Sequence, residues 1–129
     1  MSQESNGRNG AGELVKAPLR LILNIGDTNP KTIAVKLKER ITVGRAGTEG
    51  EQPDVDCSPF TALEKGVSRI HAVFLYQDEH IFLEDLASTN GTRINGLKLA
   101  PSKRYRLRNG DELEFGSLRM VVRLVRAPK

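Results

Sequence analysis

Two histidines, one cysteine and a scatter of aspartates are the first side chains to test for acid–base, metal or nucleophilic chemistry in this sequence. His71 and His80 do not form an H-x-x-x-H pair, and Cys57 has no second thiol for zinc or for an internal disulfide. No phosphate-cradling glycine loop with Lys-Ser or Lys-Thr occurs, and no G-x-S-x-G elbow. Asp85 and Asp111 flank turn sequences, where aspartate is common for structural reasons. An enzyme reading finds no positive signal, so the chain is expected to be no enzyme and to carry neither cofactor nor metal. Three polar clusters draw the eye instead: Gly44-Arg45, Ser68-Arg69-Ile70-His71-Ala72 and Ser88-Thr89-Asn90-Gly91-Thr92. They offer hydrogen-bond donors and positive charge, the means to hold a ligand, rather than a nucleophile with its base.

The elements that must position these clusters are short strands. Residues 19–25 form a mostly apolar run that ends in the turn Gly26-Asp27-Thr28-Asn29-Pro30. Residues 32–37 follow, with β-branched Thr32, Ile33 and Val35, and then 41–43. Residues 44–66 read as one long irregular loop, and loops of that length in a compact domain are usually functional. Strands are expected at 70–76, 81–86, 105–107, 112–115 and 118–125. Three Asn-Gly pairs (Asn90-Gly91, Asn95-Gly96 and Asn109-Gly110) mark tight turns, because both residues tolerate positive φ. About ten short strands without a helical period predict an all-β sandwich or barrel. Each cluster falls at a strand end.

With the clusters placed in order, the sequence strongly resembles the forkhead-associated (FHA) domain family. The match is carried by Gly44-Arg45, Ser68-Arg69-x-His71, Ser88-Thr89-Asn90-Gly91-Thr92, Asn95-Gly96 and Gly110-Asp111. It divides the chain into a flexible tail (1–18), an FHA domain (19–126) and a short C-terminal end (127–129). The resemblance implies an all-β, FHA-type β-sandwich of about eleven strands whose loops hold a phosphothreonine. It implies a phosphothreonine-peptide-binding adaptor in Ser/Thr kinase signalling, with a phosphothreonine-containing protein or kinase as partner.

Carried over position by position, the resemblance gives Arg45 a guanidinium for the phosphate and Ser68 and Thr89 hydroxyl donors. Those types suit a phosphate dianion, which offers acceptor oxygens only. Each charge-assisted bond contributes about 1.5–3 kcal/mol when well formed. Set against the cost of docking a flexible segment, that implies micromolar rather than nanomolar affinity. Asn90 is expected to grip the ligand main chain through its amide, and Arg69 and Asn95 are carried over as ligand-facing. Gly44, His71 and Gly91 are expected as structural support, His71 bracing the loops beneath the site. Arg93 and Lys98 lie in variable loops, which leaves open a preference for acidic residues after the phosphothreonine.

Each of these residues also has a plainer reading. Ser68 can close a turn on its own backbone, Asn90-Gly91 can be a bare hairpin turn, and Arg45 can pair with Asp54 or Asp56. An alternative for the whole chain is a phosphate-independent scaffold that binds a partner through a sheet face. The net charge of +4 favours acidic or phosphorylated partners. Arg104 and Arg106 share one strand face, yet aromatics for base stacking are nearly absent there, so no nucleic acid is expected. Residues 1–12 lack the apolar stretch of a secretory signal and no run is long enough to cross a bilayer. A cytoplasmic protein without membrane contact is expected. In the long loop, Cys57 reads as incidental and Phe60 as an anchor to the sandwich. The tail has Ser2 and Ser5 but no threonine, which argues against a phosphorylated tail filling its own pocket.

Overall fold

A computed structural model describes residues 18–126, so all of the expected tail but Pro18, and the C-terminal end, lie outside the described residues. Eleven strands run in chain order: β1 (Leu19–Ile25), β2 (Lys31–Val35), β3 (Arg40–Gly44), β4 (Val55–Asp56), β5 (Ala72–Gln77), β6 (His80–Asp85), β7 (Thr92–Ile94), β8 (Leu97–Lys98), β9 (Arg104–Arg106), β10 (Glu112–Phe115) and β11 (Leu118–Arg126). They form two sheets, ordered β2-β1-β11-β10-β7-β8 and β4-β3-β5-β6-β9. The all-β sandwich expected from the sequence is what the chain adopts. Among the described residues no helix is long and apolar enough to cross a membrane.

Alternation along the strands builds the core. One sheet contributes Leu21, Leu23, Ile25, Phe115, Met120 and Val122, the other Ile41, Val43, Ala72, Phe74, Ile81 and Leu83. Burying each of the larger side chains contributes about 1.5–3 kcal/mol. Aliphatic side chains around Phe74 and Phe115 fill this core without a tryptophan. β11 follows the same period of two, with Met120 and Val122 inward and Val121 half-buried on the outer face.

The long loop is more ordered than its composition suggests. Val55–Asp56 pairs in parallel with the end of β3, Val43 opposite Val55, and a 3-10 turn follows at Ser58–Phe60. Cys57 is fully buried in the core, a correction to its reading as incidental, and burial pushes its thiol up to about 12. Phe60 packs against the same core, as its position suggests. Arg104 and Arg106 do share the outer face of the five-stranded sheet. There Arg104 lies over the Phe82 ring and donates to Gln77 Oε1 at 2.8 Å.

Candidate functional site

Three loops meet at one end of the sandwich: the chain after β3, the segment leading into β5, and the β6–β7 connection. The first two touch so closely that only glycine fits between them. A Cβ on Gly44 would lie 2.0 Å from the Arg69 carbonyl oxygen. Beside it the Arg45 N–H is shared between the carbonyls of Ser68 and Arg69, each at 3.2 Å. Arg45 Nε donates to the Val67 carbonyl at 3.1 Å, which fixes the plane of the guanidinium and leaves its terminal nitrogens unengaged among the described residues.

Neither acidic neighbour takes those nitrogens. Asp54 accepts from Lys38 Nζ at 2.7 Å and from the Thr42 N–H, and the Lys38 bond leads the causes that hold its carboxyl below the ordinary range. Asp56 accepts from the backbone N–H groups of Ala46 and Ser58 at 3.0 and 2.9 Å. Burial works against its charge, and those bonds outweigh it. Pairing of Arg45 with Asp54 or Asp56 is therefore not what the structure shows. Among the described residues Arg45 meets no carboxylate.

Ser68 does not close a turn on itself. Its Oγ accepts the Thr89 N–H at 3.1 Å, tying the second loop to the third. Its own N–H donates to His71 Nδ1 at 3.0 Å. His71 is fully buried, and Nε2 lies 2.9 Å from the Gly91 carbonyl. An Nδ1 that accepts leaves Nε2 as the donor, so one neutral tautomer serves both bonds. Burial depresses the imidazole's proton affinity, opposed by the Gly91 bond and the charge of Asp85. The ring also meets Phe115 edge-on at 5.5 Å. His71 thus braces the loops from below.

The third loop stands on Asp85, 2% exposed at the end of β6. Its carboxylate accepts from Ser88 Oγ and Thr92 Oγ1, both at 2.6 Å, and from the Ser88 N–H at 3.2 Å. Burial disfavours the charge, and these bonds still hold the carboxyl below its ordinary range. Ser88 Oγ in turn accepts the Gly91 N–H at 3.0 Å. Above this floor Thr89 and Asn90 are exposed. Asn90 Nδ2 donates to the Gly66 carbonyl at 3.0 Å. The remaining amide N–H and Oδ1 of Asn90, and the Thr89 hydroxyl, are uncommitted among the described residues. Gly66 sits at φ +78°, where a Cβ would be 2.5 Å from Asn90 Nδ2.

Arg45, Ser68, Thr89 and Asn90 are therefore brought together, over Gly44, His71 and Gly91. Arg69 lies at the rim, where its Nη2 donates to the Glu49 carbonyl at 2.9 Å and covers Gly47. Asn95 is not brought to this group. It occupies the β7–β8 turn at the far end of β7, with its amide committed to Asp111 and Glu112. Sequence reasoning treated Asp85 as an ordinary turn residue and passed over Ser88 and Thr92 as its partners. The spacing of Asp85 three residues before Ser88 is the local signal for that capping arrangement. A cleft of about 380 Å³ between β2 and β4, lined by Ile33, Val35, Ile41 and Val55 among others, contains none of the clustered residues. Chemically, among the described residues the loop end offers an oriented guanidinium, a hydroxyl and an amide, with His71 buried and Asp56 and Asp85 both engaged by internal donors. That suits holding an anion next to an extended chain.

The FHA domain sequence model matches residues 41–116, more than half of the chain. The chain belongs to the FHA domain family. Protein FraH of Nostoc sp. is 39% identical over 84 residues, covering 64% of this chain and 29% of FraH. The chain thus spans less than a third of that relative. Among solved structures, the FHA domain of FhaA, complexed with the intracellular domain of another protein, is 26% identical with a TM-score of 0.61, covering 80% of this chain and 99% of that one. A structure from work on phosphothreonine-dependent FHA domain interactions has the same fold, with a TM-score of 0.66 at 23% identity over 84% of this chain and 99% of that one.

Proposed function

We propose that this FHA domain binds phosphothreonine-containing segments of partner proteins and acts as an adaptor downstream of a Ser/Thr kinase. The observation that carries the reading is the Arg45 guanidinium, oriented by the Val67 carbonyl and unpaired among the described residues. An oriented, unpaired cation beside hydroxyl and amide donors is a poor surface feature and a good phosphate receptor. Ser68, Thr89 and Asn90 complete it, the first two toward the phosphate and Asn90 toward the ligand main chain. That a neighbour of the same fold takes part in phosphothreonine-dependent interactions supports the same reading. Discrimination of threonine from serine by one buried methyl amounts to roughly 0.8 kcal/mol, about fourfold.

The test is fluorescence anisotropy against matched peptide pools bearing phosphothreonine, phosphoserine or unmodified threonine. Saturable binding should favour the phosphothreonine pool and vanish for the unmodified one. Arg45→Ala should lower affinity by roughly 100-fold or more while costing at most about 1 kcal/mol of stability, because only the Nε bond to the Val67 carbonyl is lost within the protein and the other lost bonds lie on the ligand side. Equal binding across the three pools, or an Arg45→Ala variant with intact affinity, would sink the proposal.

A further inference from the structure

A further cation, beyond Arg45 and Arg69, reaches the same loop end from the opposite sheet. Lys98 lies on β8, the outermost strand of the six-stranded sheet, whereas Arg45 follows β3 in the other. In the β7–β8 register Lys98 stands directly across from Arg93, so two like charges share one face and repel. Glu114 is across from Arg93 on the other side, next to the arginine rather than the lysine. The lysine side chain runs instead toward the Asn90-Gly91 turn. A Cβ on Gly91 would lie 2.9 Å from Lys98 Cε and 3.6 Å from Nζ. The absent side chain at Gly91 is what lets the lysine stem lie against the backbone there. Lys98 takes part in no ion pair among the described residues.

An ammonium on a solvated stem ordinarily wanders or finds a carboxylate. This one is packed on the turn whose asparagine is proposed to grip the ligand main chain. We propose that Lys98 is a specificity residue of the phosphopeptide site, selecting ligands that carry a carboxylate side chain next to the phosphothreonine on the Gly91 side. The proposal rests on the phosphothreonine reading above. In it the two charges of the ligand are divided between the sheets. The phosphate meets Arg45, and the flanking Asp or Glu meets Lys98. An exposed pair of this kind contributes modestly and is screened by salt, so it sorts ligands rather than supplying the bulk of affinity.

The experiment uses three phosphothreonine peptide pools, identical except that the flanking positions carry Asp and Glu, Asn and Gln, or Lys. The wild-type protein should bind the acidic pool roughly three- to tenfold more tightly than the lysine pool, with the neutral pool between them. In Lys98→Glu the ranking should invert, and in the wild type it should flatten as salt is raised. A ranking that is unchanged in Lys98→Glu would overturn the assignment and point to another cation. Phosphate-dependent binding with no ranking among the pools would overturn it while leaving the phosphothreonine reading intact. Absence of phosphate-dependent binding to any pool would remove both.

Discussion

Asn90-Gly91 and Asn95-Gly96 are the same dipeptide, one on each side of β7, and they do different work. In both, glycine is required by the backbone, at φ +84° for Gly91 and +87° for Gly96. Asn95 joins its glycine in the left-handed region at φ 50°, which makes a tight two-residue hairpin turn. Its side chain is then used up: Nδ2 donates to Asp111 at 3.0 Å and Oδ1 accepts the Glu112 N–H at 2.9 Å. Asn90 keeps an ordinary φ and makes one bond, to Gly66, while Gly91 is buried and its carbonyl receives His71 and the Gly116 N–H. One turn spends its asparagine on the fold. The other spends its glycine on the fold and leaves most of the asparagine free. A saturated polar side chain reads as architecture and an unsaturated one, held in place, reads as a site.

The sharpest way to break the comparison is to remove the carboxylate beneath each turn. Asp85→Ala deletes a buried acceptor for two hydroxyls and one N–H, and should cost about 3 kcal/mol or more, read as a lower urea midpoint. Asp111→Ala removes a half-buried carboxylate that accepts from Asn95 and the Arg108 N–H, and should cost only about 1 kcal/mol. Equal costs would mean that the site end has no special floor.

Exchanging the asparagines comes next. Asn90→Ala should weaken phosphopeptide binding by roughly tenfold or more with little change in melting temperature. Asn95→Ala should do the reverse, lowering stability by about 1 kcal/mol and leaving affinity within about twofold. If Asn95→Ala instead abolishes binding in a folded protein, the ligand extends along β7 and the division between the two turns is wrong.

Much of this was legible in the sequence because its signals are local. Alternating apolar residues mark β1, a continuous apolar run marks β5, and Asn-Gly pairs mark the turns. The ordered fragments from Gly44-Arg45 to Gly110-Asp111 mark the family. What was not legible depends on partners distant in the chain. Asn95 carries the same turn signature as Asn90, and only the approach of Asp111 and Glu112 reveals that its amide is occupied. The pairing of Val55–Asp56 with β3 spans two residues and leaves no period to read, so β4 and the burial of Cys57 stayed hidden in a loop rich in Gly, Glu and Pro. The orientation of Lys98 depends on an empty space at Gly91.

The smallest expected effect concerns acid, and it should loosen one end of the molecule before the other. His71 is held neutral by burial, so its folded pKa lies below the ordinary value of 6.5. An unfolded chain then binds more protons than the folded one between those two values, and stability falls as pH drops through that window. The contribution is complete above pH 6.5 and is lost below it at no more than about 1.4 kcal/mol per pH unit. Asp85, with its depressed carboxyl, adds a second loss only at lower pH, below the carboxylate's ordinary 3.8. Protonating Nδ1 turns the acceptor for the Ser68 N–H into a donor, so that bond must break while the Asn95 N–H, 2.7 Å from the Glu112 carbonyl, is untouched. Amide-exchange protection, corrected for intrinsic rate, should therefore fall at Ser68 as the pH drops through the depressed pKa of His71, and hold at Asn95. The His71→Gln variant keeps a donor for Gly91 and removes the titration, so it should lose the stability slope in that window. A His71 ring that titrates above 6.5 by NMR, or parallel loss of protection at both amides, would show that the histidine is not the brace its hydrogen bonds imply.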